Sequence, residues 1–305
     1  MWIIVAVTAY LLLALAALVD KYLLAGPIPN PKFYAFAIGV LGSVVFLLIP
    51  FGVLIVPPFS ILLFGLLAGS FNVLALLIFF TGLQKFEASR IVPAIGGITP
   101  IFTSLLTLLL VAETQIFSGK EFAAFLLLVG GTISISMGPR VSLSIQSLLY
   151  ATLAAFLFAG SVVFAKFVYV TQPFLSAVQW VVLGSFTTAI FFLLSKEVRA
   201  EVRALFQKKE KKTFSLWTAF LFWFNRVMGG GAVALQHLAV FLAPFGSVAF
   251  VHAMAGFQYA FLFILALALS AKLPSIAEEP ISTSVVMRKT VSILLIGAGL
   301  ALLAL

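Results

Sequence analysis

The strongest constraint on this chain is the recurrence of apolar runs about as long as a bilayer is thick. A helix needs roughly 20 apolar residues to cross a hydrocarbon core of about 30 Å. Ten such runs alternate with charges, Pro or Gly: Trp2 to Val19, Phe33 to Ile49, Phe59 to Leu83, Ile91 to Ala112, Phe122 to Met137, Leu148 to Val170, Phe174 to Leu194, Phe214 to Leu238, Phe241 to Leu269 and Val285 to Leu305. The runs are apolar on every face, which predicts helices; a membrane β-barrel would show alternating strands of about ten residues. Ten of the thirteen prolines lie between or at the ends of the runs, while Pro93, Pro100 and Pro244 fall inside them. A proline within a helix removes a hydrogen bond and bends the axis, so Pro93 and Pro100 are read either as hinges for gating or as packing kinks.

Of 305 residues, 63% are hydrophobic and 9% charged, too few charges to cover a water-soluble globule. The net charge of +9 would suggest nucleic acid in a soluble chain, but position gives it another meaning. Fifteen of the eighteen Lys and Arg follow the odd-numbered runs: Lys21, Lys32, Lys85, Arg90, Arg140, seven residues from Lys196 to Lys212, Lys272, Arg288 and Lys289. The even side holds Lys120 and Lys166, and Arg226 lies within a run. The positive-inside rule then predicts cytoplasmic odd loops, both termini outside, and a multi-pass protein of the plasma or inner membrane. The first run lacks a basic n-region and a clear cleavage site before Asp20, so it reads as a retained span. The basic loop 195–213 is either a solvated segment, lying on anionic headgroups as a short helix, or a regulatory or partner-binding segment. The expected partners are the lipid bilayer and a small-molecule substrate, with no nucleic acid.

Absent residue types narrow the chemistry. There is no Cys, and His237 and His252 are the only histidines, so neither a thiol nucleophile nor a Cys- or His-rich metal site is expected. No phosphate loop, HExxH motif or catalytic acid pair occurs, and no cofactor, metal or enzymatic activity is expected. Gly65 and Gly69 form a small-xxx-small pair for helix packing or dimerisation, leaving monomer and homodimer both open.

The two halves share four anchors in the same order. Asp20-Lys21 matches Ala165-Lys166, Phe71-Asn72 matches Phe224-Asn225, Leu83-Gln84 matches Leu235-Gln236, and the Leu-Leu-Val-Gly-Gly run at 127–131 matches Leu-Leu-Ile-Gly-Ala at 294–298. Five spans per half is odd, so the halves, residues 1–140 and 141–305, must insert in opposite orientations. The predicted fold is an all-α integral membrane protein of ten transmembrane helices as two inverted five-helix repeats, a plan that places a binding site near the midplane between them.

The segment Glu87-Ala88-Ser89-Arg90-Ile91-Val92-Pro93, followed by Ile98-Thr99-Pro100, Glu113, Gly119 and Gly130-Gly131, resembles the signature of EamA-type members of the drug/metabolite transporter superfamily. Asp20-Lys21-Tyr22 resembles the end of the first helix in one branch of it. The second half departs from the pattern, with Ser270-Ala271-Lys272 where a copy of Glu113 would stand and Gln258 near the counterpart of Pro100. The resemblance implies two inverted five-helix repeats and transport of a small metabolite by alternating access. It also implies cytoplasmic termini, against which the charge distribution here predicts the reverse.

Arg226, halfway along its run, is the most informative polar residue. A central Arg costs roughly 2.5–3.5 kcal/mol on insertion scales unless it meets a partner or a water-filled cavity. It is read as facing a cavity and binding a carboxylate or phosphate, or else as tied to backbone carbonyls. Gly229 and Gly230, with Gly231, predict an unwound or closely packed centre that serves as a hinge. Asn72 and Asn225 are amides for substrate or for interhelical bonding. His252, Gln258 and Tyr259 share the ninth run, where His252 is a proton shuttle or a structural residue. Gln84, Gln179 and His237 are weaker candidates, and Lys21 and Lys166 are expected to snorkel or to pair with acids at a gate. Asp20, Glu87, Glu113 and Glu121 all fall at helix ends, which disfavours a cationic-drug antiporter. The predicted function is therefore a secondary transporter for a neutral or anionic metabolite; a lipid or lipid-linked-sugar flippase and a membrane-embedded enzyme are the alternatives.

Overall fold

The structure, a computed structural model, describes residues 1–24, 30–86, 88–111, 117–136, 145–206, 216–270 and 283–304. Among them there are helices and no strands: α1 (Trp2–Leu24), α2 (Pro31–Leu41), α3 (Phe59–Lys85), α4 (Ala88–Leu110), α5 (Gly119–Ser136), α6 (Ile145–Tyr169), α7 (Phe174–Phe191), α8 (Lys196–Phe206), α9 (Leu216–Leu242), α10 (Val248–Ala253), α11 (Ala255–Ser270) and α12 (Thr283–Ala304). A hydrocarbon solvent offers the backbone no hydrogen bonds, so apolar runs must satisfy their own N–H and C=O groups, and the helix does this within one segment. Six stretches are long and apolar enough to span a membrane, and the apolar parts of α1 and α4 are two shorter ones. Large apolar side chains such as Ile4, Leu109, Leu149, Val227 and Leu294 point outward and are exposed. This is a multi-pass membrane protein.

Two of the expected spans are not uniform helices. The run Phe33 to Ile49 begins as α2 and continues as a 3-10 helix over Gly42–Phe51, closed by Gly52 in the left-handed conformation at φ 73°. This tighter winding lies against α7, where Gln179 donates from Nε2 to the Val45 carbonyl at 3.3 Å and Phe46 meets Phe186 edge-on. The run Phe241 to Leu269 is interrupted twice. Pro244 stands between helices as the cap of a 3-10 turn, Phe245–Ser247, and the helix breaks again at Met254, between α10 and α11.

Small residues set the packing, because helices in lipid approach closely only where side chains are short. The inner face of α6 carries Ser147, Ala151, Ala154, Ala155, Ala159 and Gly160, all buried, against α3 and α4. An antiparallel aromatic ladder joins α3 to α6, with Phe64 on Phe167, Phe71 on Phe164 and Phe79 on Phe158. On the other side α1 packs antiparallel on α9, with Tyr10 beside Gln236 and Ala16 beside Gly229. α5 pairs with α12 through Gly131, Gly299 and the Ser292–Ser134 hydrogen bond of 2.7 Å. The closest contact is parallel, between α3 and α7: Gly69 and Gly184 lie against the opposing backbone, and Ser70 and Thr188 share a hydrogen bond of 2.7 Å.

Among the described residues, Lys32, Lys85 and the basic helix α8 lie at one end of the bundle. Lys32 pairs with Glu197 at 2.7 Å, Tyr34 packs on Phe80, and Lys85 donates to Tyr150 at 2.7 Å. Lys166, at the other end, does not snorkel as expected. It is 3% exposed, and its Nζ donates to the carbonyls of Val240 at 3.0 Å, Phe241 at 2.9 Å and Ala243. The last turn of α9 leaves carbonyls without intrahelical partners, and a cation placed there satisfies them and complements the helix dipole.

The glycines of α9 do not unwind the helix, one of the two alternatives expected of them. α9 runs unbroken through Gly229, Gly230 and Gly231; Gly229 stands against Ala16, with nothing within 4 Å of a side chain added at the other two. A matched pair of substitutions follows. Gly184→Ala places a Cβ 2.3 Å from the Leu66 carbonyl and is expected to lower unfolding free energy by about 1–3 kcal/mol. Gly230→Ala meets open space and should be neutral or stabilising by up to about 1 kcal/mol. Thermal unfolding of both variants in one detergent measures the difference.

Candidate functional site

Polar side chains from both halves converge where α9 ends and α10 begins. Tyr10 of α1 donates its hydroxyl to the Val251 carbonyl at 2.9 Å and accepts from Gln236 Nε2 at 3.1 Å. The neighbouring His237 shares a hydrogen bond of 2.7 Å between Nδ1 and the hydroxyl of Tyr169 on α6. On α10, His252 is 8% exposed, and its Nδ1 lies 3.0 Å from Thr103 Oγ1 of α4.

The Thr103 hydroxyl lies 2.9 Å from the Thr99 carbonyl and 3.0 Å from His252 Nδ1, and its single proton serves one of the two at a time. Thr99, Thr103 and Thr107 recur every four residues on α4 and form one buried polar face. The hydroxyls of Ser104 and Thr107 are buried and have no hydrogen-bond partner among the described residues, as groups that receive a water or a solute hydroxyl would be.

Helix interruption accounts for this concentration of polar contacts. The break at Met254 disturbs the hydrogen-bond ladder of the ninth span, and Tyr10 of α1 donates to the Val251 carbonyl there, while the Thr132 hydroxyl, which donates to the Leu128 carbonyl of its own helix at 2.7 Å, stands 3.2 Å from the carbonyl of Ala253. Interrupted helices in membranes occur where protein or a cavity can satisfy the freed backbone, and they commonly frame transport sites.

The sequence-predicted residues divide. His252 is in the cluster, and Tyr259 adjoins it with its hydroxyl over Gly96, where an added Cβ would stand 3.3 Å away. Gln258 is half-buried on α11 beside Tyr259. Asn225 is buried in α9 at 1% exposure. Asn72 sits at the middle of α3, half-buried, and forms no side-chain hydrogen bond among the described residues. Pro100 is buried, and α4 continues as a helix through it and Pro93. The backbone of Arg226 belongs to α9, but its side chain lies outside the described residues, as do those of Pro93, Asp20 and Lys21 and all of Glu87, Glu113 and Lys272. Gln179 serves the 3-10 segment instead. Glu121 is structural: its carboxylate accepts from Ser118 N at 2.8 Å while its own N–H meets Ser118 Oγ at 3.3 Å, a capping box at the start of α5.

Sequence reasoning missed Tyr10, Tyr169 and the threonine face of α4. The threonines carry a readable signal in their spacing, whereas Tyr10 meets a residue 226 positions away and has none.

No protein-family model and no curated protein matches the chain. Sixteen chains of solved structures do, one of them a crystal structure described only as that of a protein. It superposes with a TM-score of 0.68 over 99% of this chain and 97% of its own, at 16% identity. The overall fold is therefore one already seen in a crystal.

Tyr10 joins three spans through one hydroxyl. Tyr10→Phe leaves the Gln236 amide without its acceptor and the Val251 carbonyl without its donor, a loss of about 1–3 kcal/mol. Combining it with Gln236→Leu should cost less than the two single effects together, measured as a double-mutant cycle on unfolding in detergent.

Proposed function

We propose that this protein is a secondary transporter that moves a small neutral or anionic metabolite by alternating access, with ten spans in two inverted repeats, as in EamA-type members of the drug/metabolite transporter superfamily. The observation that carries the reading is the buried polar cluster at the interrupted ninth span, with the Ser104 and Thr107 hydroxyls left unused inside a bundle that otherwise faces lipid. Such groups cost free energy in a membrane unless something polar meets them. Hydroxyls, imidazoles and amides suit an uncharged or anionic solute, and the described carboxylates Glu121, Glu197 and Glu201 sit in first turns or on α8. In this reading Asn72, Asn225, His252, Gln258, Tyr259 and Arg226 contribute to solute binding, and the chain is not an enzyme. The basic loops face the cytoplasm.

Helix packing supports the repeat. Exchanging the halves turns the α1–α9 pair into the α6–α3 pair, both antiparallel, and the α1–α11 contact into α6–α4; α5–α12 and α2–α7 map onto themselves. Several pairs break the pattern. Among the described residues α3 packs closely on α7 while α2 makes no comparable contact with α9, α5 meets α11 while α12 makes no comparable contact with α4, and α2 lies against α3 more extensively than α7 against α9. Alternating access requires such an inequality, with one contact closed and its counterpart open, the two exchanging during transport.

Counterflow in proteoliposomes with a metabolite panel tests the function. Uptake of a neutral or anionic solute is expected, lost selectively for anions in Arg226→Ala; no flux of any solute, or equal activity in both proteins, overturns the reading. The chain has no Cys, so Ser70→Cys with Thr188→Cys can be cross-linked alone. Cross-linking should stop counterflow and reduction restore it, while an undiminished rate in the cross-linked protein removes the α3–α7 contact as a gate.

A further inference from the structure

Helix α8 separates its side chains into three faces. Val198 is fully buried against the bundle. Glu197 and Glu201 are four residues apart on one flank, where Glu197 is held by Lys32. Lys196, Arg199 and Arg203 fall at i, i+3 and i+7 on the other flank and, with Ala200, line an open groove of about 310 Å³. The depth of this groove follows from the residues before it. Phe191 and Leu194, 68% and 77% exposed, end the seventh span, and α8 starts two residues later, so the groove lies at headgroup level. Its acidic neighbours face away, and the sequence beyond α8 continues with Lys208, Lys209, Lys211 and Lys212.

We propose that the Lys196–Arg199–Arg203 groove of α8 binds the phosphodiester headgroup of an anionic phospholipid. Two guanidinium forks and an ammonium on one flank offer a phosphodiester several charge-assisted donors. Burial of Val198 and the Lys32–Glu197 pair hold the helix that carries them. The site is independent of the transport reading.

Native mass spectrometry of the full-length protein, released from neutral detergent, tests it with phosphatidylglycerol, phosphatidylcholine and inorganic phosphate as separate probes. Phosphatidylglycerol is expected to bind about tenfold or more tightly than phosphatidylcholine, and Arg199→Gln with Arg203→Gln to abolish that preference. Arg199→Lys with Arg203→Lys should retain most of it. Lys85→Gln with Lys120→Gln removes the same charge elsewhere and should leave it unchanged. The proposal is overturned if the Gln pair on α8 binds phosphatidylglycerol as wild type does. It is equally overturned if the control pair loses as much affinity, or if inorganic phosphate binds as tightly as the lipid.

Discussion

Every feature of this protein answers to one constraint: in hydrocarbon, a backbone or side-chain polar group has only the protein to bond to. Regular helices meet the requirement without help, so most of the chain is helix. Where the helix departs from regularity, neighbouring side chains are drawn in. Gln179 serves the 3-10 segment, Lys166 the end of α9, and Tyr10 the break at Met254. Association of the helices depends on close approach more than on burial of apolar area, since lipid is as apolar as Leu. Gly69 against Gly184 and the alanine face of α6 supply that approach.

The same constraint decides what could be read from the sequence. Apolar run length depends on bilayer thickness alone, so α3, α6 and α7 fall within a few residues of their expected positions. Helix interruptions depend on tertiary partners. Met254 is not legible as a break from the run Phe241 to Leu269 alone, because the hydroxyl that donates to the Val251 carbonyl beside it belongs to α1. Lys166 was misjudged for a related reason. At a span end a lysine can reach water or turn inward, and the choice rests on whether a neighbouring helix offers it carbonyls.

Of the site, the histidine of α10 and the tyrosine of α11 were legible as polar residues in an apolar run. Thr103, which orients His252, was readable in principle from the four-residue spacing of threonines in α4. Its importance comes only from facing α10. The close contact of α3 on α7 likewise exists only in three dimensions.

The ten-residue 3-10 segment after α2 has a further geometric effect. A 3-10 helix rises about 2.0 Å per residue against 1.5 Å for an α-helix, so these residues reach about 5 Å farther than α-helical winding would take them. The second span is thereby lengthened without added sequence. Wound as an α-helix, the same ten residues would bring the Gly52 turn a like distance closer to α2.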